Sequence, residues 1–477
     1  MSTDSLNHLS ITELAPLIQS REVSPVEVVD AALAQAERLQ PVLNSFITLL
    51  ADDARRDAKE REKAIKVGEY RGPLDGIPIG IKDNLATKGI RTTVGSKVLR
   101  DYVPQDDAAA VTACKQAGAI IIGKENLHEF AAGGTSENPH YGAVHNPWDV
   151  ERIPGGSSGG GAANVAARVT HASLGTDLAG SVRIPASYCG LVGLKPTFGR
   201  VSQRGIQVTS HNGDHIGPMT RSVADCAVML QILAGNDPAD PSTVPIDVPD
   251  YTSRFGEPIA NIRIGVPTNY YFDLVDAEVD AAVRKAIASL GEMGAHVSDV
   301  EFSTLKYMEL VRAGTGADSF IAHEQMLKDH REDYSPELAS RMLASQFSLG
   351  RDYAKALKVQ RLIEDEFAQV LQDVDIIATP TMAFSPRRIG EETTMISGKE
   401  HPLRVSGAGD LYLGHNTHVS NATGLPTITV PCGLTSEGLP VGLQLIGRPF
   451  EEALLLQAAA QYEKISGWDN ASPELAN

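Results

Sequence analysis

The chain has 477 residues, of which 42% are apolar, and its 42 basic and 60 acidic side chains give a formal net charge of −18. At about 150 residues per domain this length allows two to four domains, although some large α/β folds remain single at this size. The acidic charge argues against a nucleic-acid-binding protein, because phosphate neutralisation requires a clustered basic face. The first residues lack the basic segment followed by an apolar segment that is typical of a signal peptide. No stretch approaches the roughly 18 apolar residues of a membrane span. We therefore expect no nucleic-acid partner and no membrane segment.

The cysteines are few and widely separated, and they form no C-x-x-C pair. Their spacing predicts neither a disulfide framework nor a structural zinc site. Free thiols fit a reducing cytoplasm, which is the expected location. The four cysteines are Cys114, Cys189, Cys226 and Cys432.

The amino-terminal segment is predicted to be helical. Two pairs, Ser10 with Glu13 and Ser24 with Glu27, have the spacing of a capping box, and a proline follows the second serine at the first helical position. We expect helices over the first 65 residues.

Beyond the glycine and proline at 72–73, the pattern changes to short apolar runs bounded by glycine. The runs at 77–81 and 119–122 predict buried strands between helices, which is typical of an α/β fold. Residues 235–251 hold one glycine and four prolines and predict a long surface connection. The later elements are expected as a strand–helix–strand unit at 262–266, 276–290 and 296–302, helices over 305–370, and strands at 375–378, 427–430 and 441–446.

The most distinctive segment is Gly-Gly-Ser-Ser-Gly-Gly-Gly at 155–161. Its composition alone is that of a flexible linker. It runs directly into the alanine-rich segment 162–167, however, so we expect it to open a helix and to direct backbone N–H groups and a serine to one place. It lacks the lysine of a phosphate-binding P-loop.

Other hydrolase motifs fit less well. The loop matches the G-x-S-x-G nucleophile elbow, but that motif requires a preceding strand, and 146–154 carries two prolines and few apolar residues. Neither His128 nor His323 begins a zinc-protease motif, because the second histidine is missing. An S-x-x-K match from Ser303 to Lys306 lacks the companion motifs of a β-lactamase and is attributed to chance.

Two further segments place a reactive side chain beside glycine or apolar residues. A second glycine-rich turn at 174–185 again places a serine, Ser181, directly after a glycine. Lys82 ends an apolar run in Gly-Ile-Pro-Ile-Gly-Ile-Lys-Asp-Asn at 76–84, whereas most lysines lie on the surface. An apolar setting of this kind would suit a base.

Together these three motifs closely resemble the amidase signature family. They are GIPIGIKDN around Lys82, GGSSGG at 155–160 and GTDLAGSVRIPASYCGLVGLKPT at 175–197, and further similar stretches lie at 124–142, 215–227 and 424–450. The resemblance therefore covers nearly the whole chain. Three separated motifs in the right order are far more specific than one glycine loop.

The resemblance implies a serine–serine–lysine triad. Ser181 matches the nucleophile, Ser157 matches the bridging serine whose peptide bond to Gly156 is cis in the family, and Lys82 matches the base. A serine hydroxyl is a weak nucleophile until a base takes its proton, so Lys82 has to be neutral, which burial favours. The resemblance further implies that the oxyanion is held by backbone N–H groups of one turn and that no metal or other cofactor is required. The residues of this turn are Leu178, Ala179, Gly180 and Ser181.

Neighbouring motif residues have structural interpretations. Asp177 and Arg183 are expected to form an ion pair that holds the nucleophile turn. Ser158 is expected to support its loop, Cys189 to be a packed thiol, and His128 to be structural.

The chain departs from the family pattern at two positions. Ala179 replaces the first of two glycines that usually precede the nucleophile, which places a methyl group beside the expected oxyanion site. Gly161 stands where the loop often has another serine.

Within the family, the alternative to a stand-alone amidase is the A subunit of the glutamine-dependent tRNA amidotransferase. In that protein an arginine on the helix resembling 355–367 anchors the glutamine carboxylate; the matching residue here is Gln360, with Arg361 displaced by about 100° around the helix. An acidic residue before the GLP motif is also absent from 413–420. We therefore favour a stand-alone amidase. A non-catalytic protein that serves in binding or assembly is a third alternative, and the intact triad argues against it.

The substrate is expected to be a small amide or a related urea, carbamate or hydrazide, and its identity does not follow from the sequence. Substrate choice is assigned to the variable region 305–410. His415 and His418 either contact the substrate, act as extra proton carriers or are structural, and the structural role is favoured. The helices of this region are expected to line the acyl pocket, and the sequence does not indicate which of their side chains face inward. The candidates are Tyr307, Met308, Phe320 and Met326.

The implied fold is a single large α/β domain over 1–477, with a central mixed β-sheet covered by helices on both faces. Within it we distinguish amino-terminal helices at 1–65, a catalytic core at 70–235 and the variable region. A homodimer is compatible with this arrangement, although no interface is evident from the sequence.

Overall fold

The seven predicted strands lie in one mixed sheet of eleven strands, together with four that the sequence pattern had not indicated. The computed structural model describes residues 6–207, 213–314, 316–396, 398–402, 404–405, 409–410, 413–468 and 471–476. The strands of the large sheet are β1 (Phe46–Leu49), β2 (Pro78–Lys82), β3 (Ile120–Glu125), β6 (Ala172–Thr176), β7 (Val192–Lys195), β8 (Ile216–Thr220), β9 (Arg263–Pro267), β10 (His296–Val300), β11 (Ile376–Pro380), β16 (Thr427–Leu434) and β17 (Pro440–Gly447). Short two-stranded sheets are formed by β4 (Glu137–Asn138) with β5 (Gly142–Ala143), β12 (Thr393–Ile396) with β13 (Lys399–Pro402), and β14 (Arg404–Val405) with β15 (Gly409–Asp410).

The spatial order of the large sheet is β1-β3-β2-β6-β8-β7-β16-β17-β11-β9-β10. Strands β3, β2 and β6 are parallel to one another, whereas β6 and β8, and β16 and β17, pair antiparallel. The strand that ends in Lys82 is therefore flanked on both sides by parallel neighbours. The three strands end at the same edge of the sheet.

Helices cover both faces of this sheet. They are α1 (Ile11–Ser20), α2 (Pro25–Leu43), α3 (Ala51–Lys66), α4 (Ala109–Gln116), α5 (Gly159–Ala166), α6 (Arg183–Tyr188), α7 (Val223–Leu233), α8 (Ala277–Glu292), α9 (Met308–Gly314), α10 (Gly316–His330), α11 (Pro336–Ser345), α12 (Gly350–Asp373), α13 (His415–Ala422) and α14 (Glu452–Ser466).

Strand β3 shows how the two faces are separated. Ile120 and Ile122 pack with α2 and α3, while Ile121 joins the opposite core with residues of α4. Successive side chains of a strand point to opposite faces, so an uninterrupted apolar run is buried on both sides. The predicted α/β architecture, with helices on both faces of a mixed sheet in a single large domain, is confirmed.

Most predicted elements are present. Both capping boxes form, the strand–helix–strand unit is built from β9, α8 and β10 with its two strands parallel, and 235–251 contains neither helix nor strand. One expectation was wrong: the first 65 residues are not entirely helical. Four of them form β1, which pairs antiparallel with the end of β3, Phe46 lying opposite Glu125.

Among the described residues, no helix combines the length and the apolar character that crossing a bilayer requires.

Candidate active site

Lys82 is the last residue of β2 and is 1% exposed. Its amine is hydrogen-bonded to the Ser157 hydroxyl at 2.7 Å and to the Thr176 hydroxyl at 2.9 Å, and the Thr176 carbonyl lies 3.4 Å away. Burial lowers the pKa of Lys82 to about 7, against the opposing negative charges of Asp214, Asp177 and Glu125. The amine is therefore neutral in a large fraction of molecules near pH 7, as a base requires.

The serine-rich loop supplies the partner of this lysine. The peptide bond between Gly156 and Ser157 is cis, and the Ser157 carbonyl accepts hydrogen bonds from the His128 N–H at 3.2 Å and the Ser136 hydroxyl at 3.3 Å. Helix α5 begins directly after Ser158. The loop thus opens a helix, as predicted.

The turn after β6 positions Ser181, which is 8% exposed. Gly180 has φ of +116°, and a Cβ there would lie 2.2 Å from the Thr417 hydroxyl oxygen, so only glycine fits at this point. The Ser181 carbonyl accepts a hydrogen bond from the Ser158 N–H at 3.3 Å, which links the two serine-bearing loops. Ser157 and Ser181 line the same cavity.

A buried ion pair holds this turn. The Arg183 guanidinium donates to both carboxylate oxygens of Asp177, at 3.0 and 2.9 Å, and both side chains have no exposed surface. Burial opposes ionisation of Asp177, but the charge and hydrogen bonds of Arg183 outweigh it and hold the pKa of this carboxyl below its usual range. The structural role expected for the pair is therefore observed.

The same carboxylate changes the list of expected oxyanion donors. The Gly180 N–H donates to Asp177 Oδ1 at 2.7 Å, so this donor is already engaged by a negative charge. A group held by a carboxylate has little left to offer a developing oxyanion. The oxyanion role expected for Leu178, Ala179, Gly180 and Ser181 stays a prediction, and the Gly180 N–H is the donor already engaged by Asp177.

Ala179 lies in the wall of the cavity. The Ala179 carbonyl accepts a hydrogen bond from the Thr417 hydroxyl at 2.6 Å. The Ala179 methyl group faces Gly414, where an added Cβ would lie 3.9 Å from it. The departure from the family pattern therefore adds a methyl group to the cavity lining and leaves the turn anchored to α13.

The cavity has a volume of about 530 Å³. Ser157, Thr176 and Ser181 line it together with the segment 130–134. The remaining wall comes largely from α9, α10 and α11, whose lining side chains are mostly small. These are Ala313, Gly316, Ser319, Ala322, Ala344 and Ser345.

The expected acyl-pocket residues lie elsewhere. Tyr307, Met308, Phe320 and Met326 are not among the described residues that line the cavity. Met308 is buried against α12 side chains, and Tyr307 is 42% exposed. The same helical region does contribute to the cavity, through side chains other than these four candidates.

Charged groups of that region reach the cavity instead. Arg312 and Glu309, on α9, both line it and pair with each other at 2.7 Å. Arg341 lines it from α11 and donates to the Ala132 carbonyl. The cavity wall therefore carries charges of both signs.

The two flagged histidines have different positions. His418 lines the cavity, and burial lowers its pKa to about 4, so it is neutral at pH 7. His415 stacks on the Tyr270 ring, with centroids 4.1 Å apart, and is not among the described cavity-lining residues.

The remaining motif residues agree with their structural interpretations. The Ser158 hydroxyl donates to the Thr176 carbonyl at 3.3 Å, and His128 Nδ1 is hydrogen-bonded to the Thr135 hydroxyl at 3.2 Å. Burial raises the pKa of the Cys189 thiol, as expected of a thiol packed in the core.

Three residues near the base were not identified from the sequence. Asn84 and Thr176 hydrogen-bond at 3.0 Å beside the lysine amine, and Asp214 lines the cavity close enough to influence the Lys82 charge. Thr176 and Asn84 both lie inside the recognised motifs, so position in the motif was an available signal. The described residues contain no group of histidine, cysteine and carboxylate side chains suited to a metal ion.

Known proteins resemble this chain over nearly its full length. The Amidase family model matches residues 27–456. The A subunit of the glutamyl-tRNA(Gln) amidotransferase of Heliobacterium modesticaldum is 40% identical, over 97% of this chain and 98% of that protein. Its counterpart in Moorella thermoacetica is 39% identical, over 98% of this chain and 99% of that protein.

Solved structures include both kinds of relative. A 6-aminohexanoate cyclic dimer hydrolase complexed with substrate is 30% identical, with a TM-score of 0.88 over 99% of this chain and 100% of the other. The A subunit of the glutamyl-tRNA(Gln) amidotransferase of Thermotoga maritima is 33% identical, with a TM-score of 0.80 over 98% of both chains.

Proposed function

The chain belongs to the amidase family, and from this premise we propose that it cleaves the C–N bond of an amide through an acyl-enzyme on Ser181. The observation that carries the proposal is the 2.7 Å contact between the buried Lys82 amine and the Ser157 hydroxyl, in a cavity that Ser181 also lines. A buried lysine paired with a serine hydroxyl beside a second serine is an arrangement suited to nucleophilic catalysis.

Thr176 orients the base. A neutral amine has two N–H donors and one lone pair, and the hydroxyl and carbonyl oxygens of Thr176 are acceptors for the two donors. The lone pair then faces the Ser157 hydroxyl. This geometry supports Lys82 as a proton acceptor from Ser157.

In the proposed reaction the Ser181 oxygen attacks the amide carbonyl carbon, and its proton passes to Ser157 while the Ser157 proton passes to Lys82. The C–N bond breaks as the proton returns along the same path to the leaving nitrogen, which gives ammonia or an amine and an acyl ester on Ser181. Water attacks this ester by the same proton path and releases the carboxylic acid. Of the expected oxyanion donors, the N–H groups of Leu178, Ala179 and Ser181 are the ones we retain.

The substrate is proposed to be a small amide or a related urea, carbamate or hydrazide. A stand-alone amidase is favoured by the surroundings of Gln360, whose amide donates to the Ala422 carbonyl at 2.8 Å and to Glu364 at 3.1 Å. Arg361 is exposed and lies 3.6 Å from Glu364. Neither side chain is among the described cavity-lining residues, which supports the stand-alone assignment.

The second candidate is the A subunit of a glutamine-dependent tRNA amidotransferase. The observation that favours it is the identity of about 40% to curated proteins of that name over nearly the whole chain. Such a chain would work with partner proteins. A cytoplasmic location, activity without a cofactor and a homodimer remain predictions from the sequence.

The test is release of ammonia or amine by the purified chain alone from aryl, aliphatic, amino-acid and urea-like amides, glutamine included. Turnover that disappears in Ser181→Ala supports the proposal, and the accepted substrates define the acyl group. Ser187→Ala, which changes a buried serine in the helix that follows Ser181 and lies outside the cavity lining, controls for folding. Turnover retained in Ser181→Ala would contradict the serine mechanism. Glutamine hydrolysis that requires the other components of an amidotransferase would contradict the stand-alone assignment.

A further inference from the structure

A buried carboxylate lies on the same face of the sheet as the proposed base. Glu125 ends β3 and is the register partner of Lys82 in the parallel pair of β2 and β3. Paired residues of adjacent strands point to the same face, as do Gly80 and Lys82, which are two positions apart. Glu125 has no exposed surface.

Two glycines make room for this carboxylate. A Cβ at Gly80 would lie 1.7 Å from Glu125 Oε1, and a Cβ at Gly161 would lie 2.8 Å from Oε2. The Glu125 side chain therefore lies across β2 next to Lys82 and beneath α5. The glycine at 161, where the family loop often has a serine, leaves the space that Glu125 and Ser173 occupy.

Hydrogen bonds fix the carboxylate at this point. Ser173, the register partner of Gly80 in β6, donates to Oε2 at 2.5 Å, and the Asn164 amide donates to Oε1 at 3.2 Å. Neither donor carries a charge, so Lys82 is the cation on this face of the two strands. Lys124 belongs to the opposite face, where it lies 3.4 Å from Asp83 and donates to the Leu85 carbonyl.

The other charged groups around the pair are few. Asp177 and Asp214 also act on Lys82, and the charge of Asp177 is matched by Arg183. Strands β1, β6 and β8 and helix α5 contribute no charged side chain. Helices α2 and α3 pack on this face, and all their charged residues are exposed or half-buried. Those of α2 are Glu27, Asp30, Glu37 and Arg38, and those of α3 lie within 52–66.

We propose that Glu125 is a positioning residue for the base: its carboxylate stabilises the protonated form of Lys82 and so raises the pH at which the lysine becomes able to accept a proton from Ser157. This inference rests on the proposed function. Burial raises the pKa of Glu125 to about 7, while that of Lys82 is lowered to about 7. Each group influences the other, so deprotonation of Glu125 favours protonation of Lys82 and the reverse.

The test measures the pH dependence of Ser181 labelling by a fluorophosphonate, a probe that needs no knowledge of the natural substrate. In this reaction the Ser181 oxygen bonds to phosphorus, fluoride leaves, and the serine proton passes to the base. Glu125→Gln keeps the shape of the side chain and removes its charge. The acid limb of the labelling profile is expected to move to lower pH by about one unit or more, because the amine loses a nearby negative charge.

Two further variants keep the inference testable. Ser173→Ala removes a donor that stabilises the ionised carboxylate, so it is expected to move the limb in the same direction by a smaller amount, and it serves if Glu125→Gln does not fold. Glu129→Gln changes an equally buried carboxyl that is hydrogen-bonded to Ser96 and His140, and it is expected to leave the limb unchanged.

The outcomes separate the two proposals. A folded Glu125→Gln protein with an unshifted limb, or with a uniform loss of labelling at every pH, would overturn the role of Glu125 and leave the role of Ser181 intact. Labelling that persists in Ser181→Ala would contradict the proposed function itself.

Discussion

The Lys82 amine lies 2.7 Å from the Ser157 hydroxyl, although the two residues are 75 positions apart in the chain. Strand β2 brings the lysine to the edge of the sheet, and the loop before α5 brings the serine to the same point. Because the Lys82 side chain has almost no contact with solvent, the surrounding protein groups determine the pKa of its amine.

The activity is expected to depend on pH through this lysine. Burial lowers the pKa of Lys82 to about 7, and only the neutral amine can accept a proton. The value of kcat/KM should therefore rise with pH through about 7 and reach a plateau above it. A profile measured on any accepted amide checks this, and activity that falls as pH rises from 6 to 8 would contradict Lys82 as the base.

Replacing Thr176 with valine should impair catalysis without unfolding the protein. The variant keeps the shape of the side chain but loses the hydroxyl that accepts from Lys82 at 2.9 Å. Loss of one such hydrogen bond costs about 1–2 kcal/mol, which corresponds to a decrease of roughly 5- to 30-fold in kcat/KM.

The matched control is Thr423→Val. Thr423 donates to the Val419 carbonyl at 3.0 Å, and it is not among the described residues that line the active-site cavity. We expect it to retain activity. Equal activity of Thr176→Val and the unmodified protein would show that Thr176 does not orient the base.

The space around Gly161 predicts a stability defect on substitution. In Gly161→Ala the new methyl group would lie 2.1 Å from the Ser173 hydroxyl oxygen, so side chains beneath α5 must move. Overpacking of this kind costs about 1–3 kcal/mol, whereas alanine in an open helical position gains up to about 1 kcal/mol over glycine. Urea unfolding should show the loss.

Gly350→Ala is the control for this substitution. Gly350 begins α12, and nothing lies within 4 Å of a Cβ built there. The change should be neutral or stabilising. A Gly161→Ala protein as stable as the original would mean that Ser173 and Glu125 relax without cost.

The sequence predicted the parts of this molecule that depend on local pattern. Capping serines marked the first two helices, and glycine-bounded apolar runs marked β2 and β3, because these signals act within a few residues. Strand β1 was missed, since four residues between two long helices become a strand only by pairing with β3.

The site shows the same division. Lys82, Ser157 and Ser181 could be named from motifs, whereas the cavity wall could not, because each amphipathic helix of the 305–370 region offers more than one face. Met308 and Glu309 are neighbours on α9, about 100° apart around the helix, and of the two only Glu309 lines the cavity; only tertiary packing decides between such faces. The engagement of the Gly180 N–H by Asp177 likewise depends on three-dimensional geometry.

The last prediction concerns the buried pair of Asp177 and Arg183. Arg183→Met leaves the Asp177 carboxylate without its cation and removes the guanidinium contacts to Ser420 at 2.6 Å and Gln444 at 2.9 Å. Removal of one partner of a buried ion pair costs about 3–5 kcal/mol, so the free energy of unfolding should fall by about that amount at pH 7.

The pH dependence of that loss identifies its cause. With Arg183 present, the pKa of Asp177 is held below its usual range, so stability from this group persists down to acidic pH. In Arg183→Met, burial without a cation should raise the pKa of Asp177 in the folded state above its unfolded value of about 3.9. Stability is then lost as the pH rises from the unfolded-state pKa to the folded-state pKa. The destabilisation measured by urea unfolding should be smaller at pH 5 than at pH 7.

The control is Arg263→Met, which breaks the more exposed pair of Arg263 with Asp375. It should lower the free energy of unfolding by no more than about 1 kcal/mol at either pH. An equal loss in both variants would mean that burial does not decide the energy of these ion pairs.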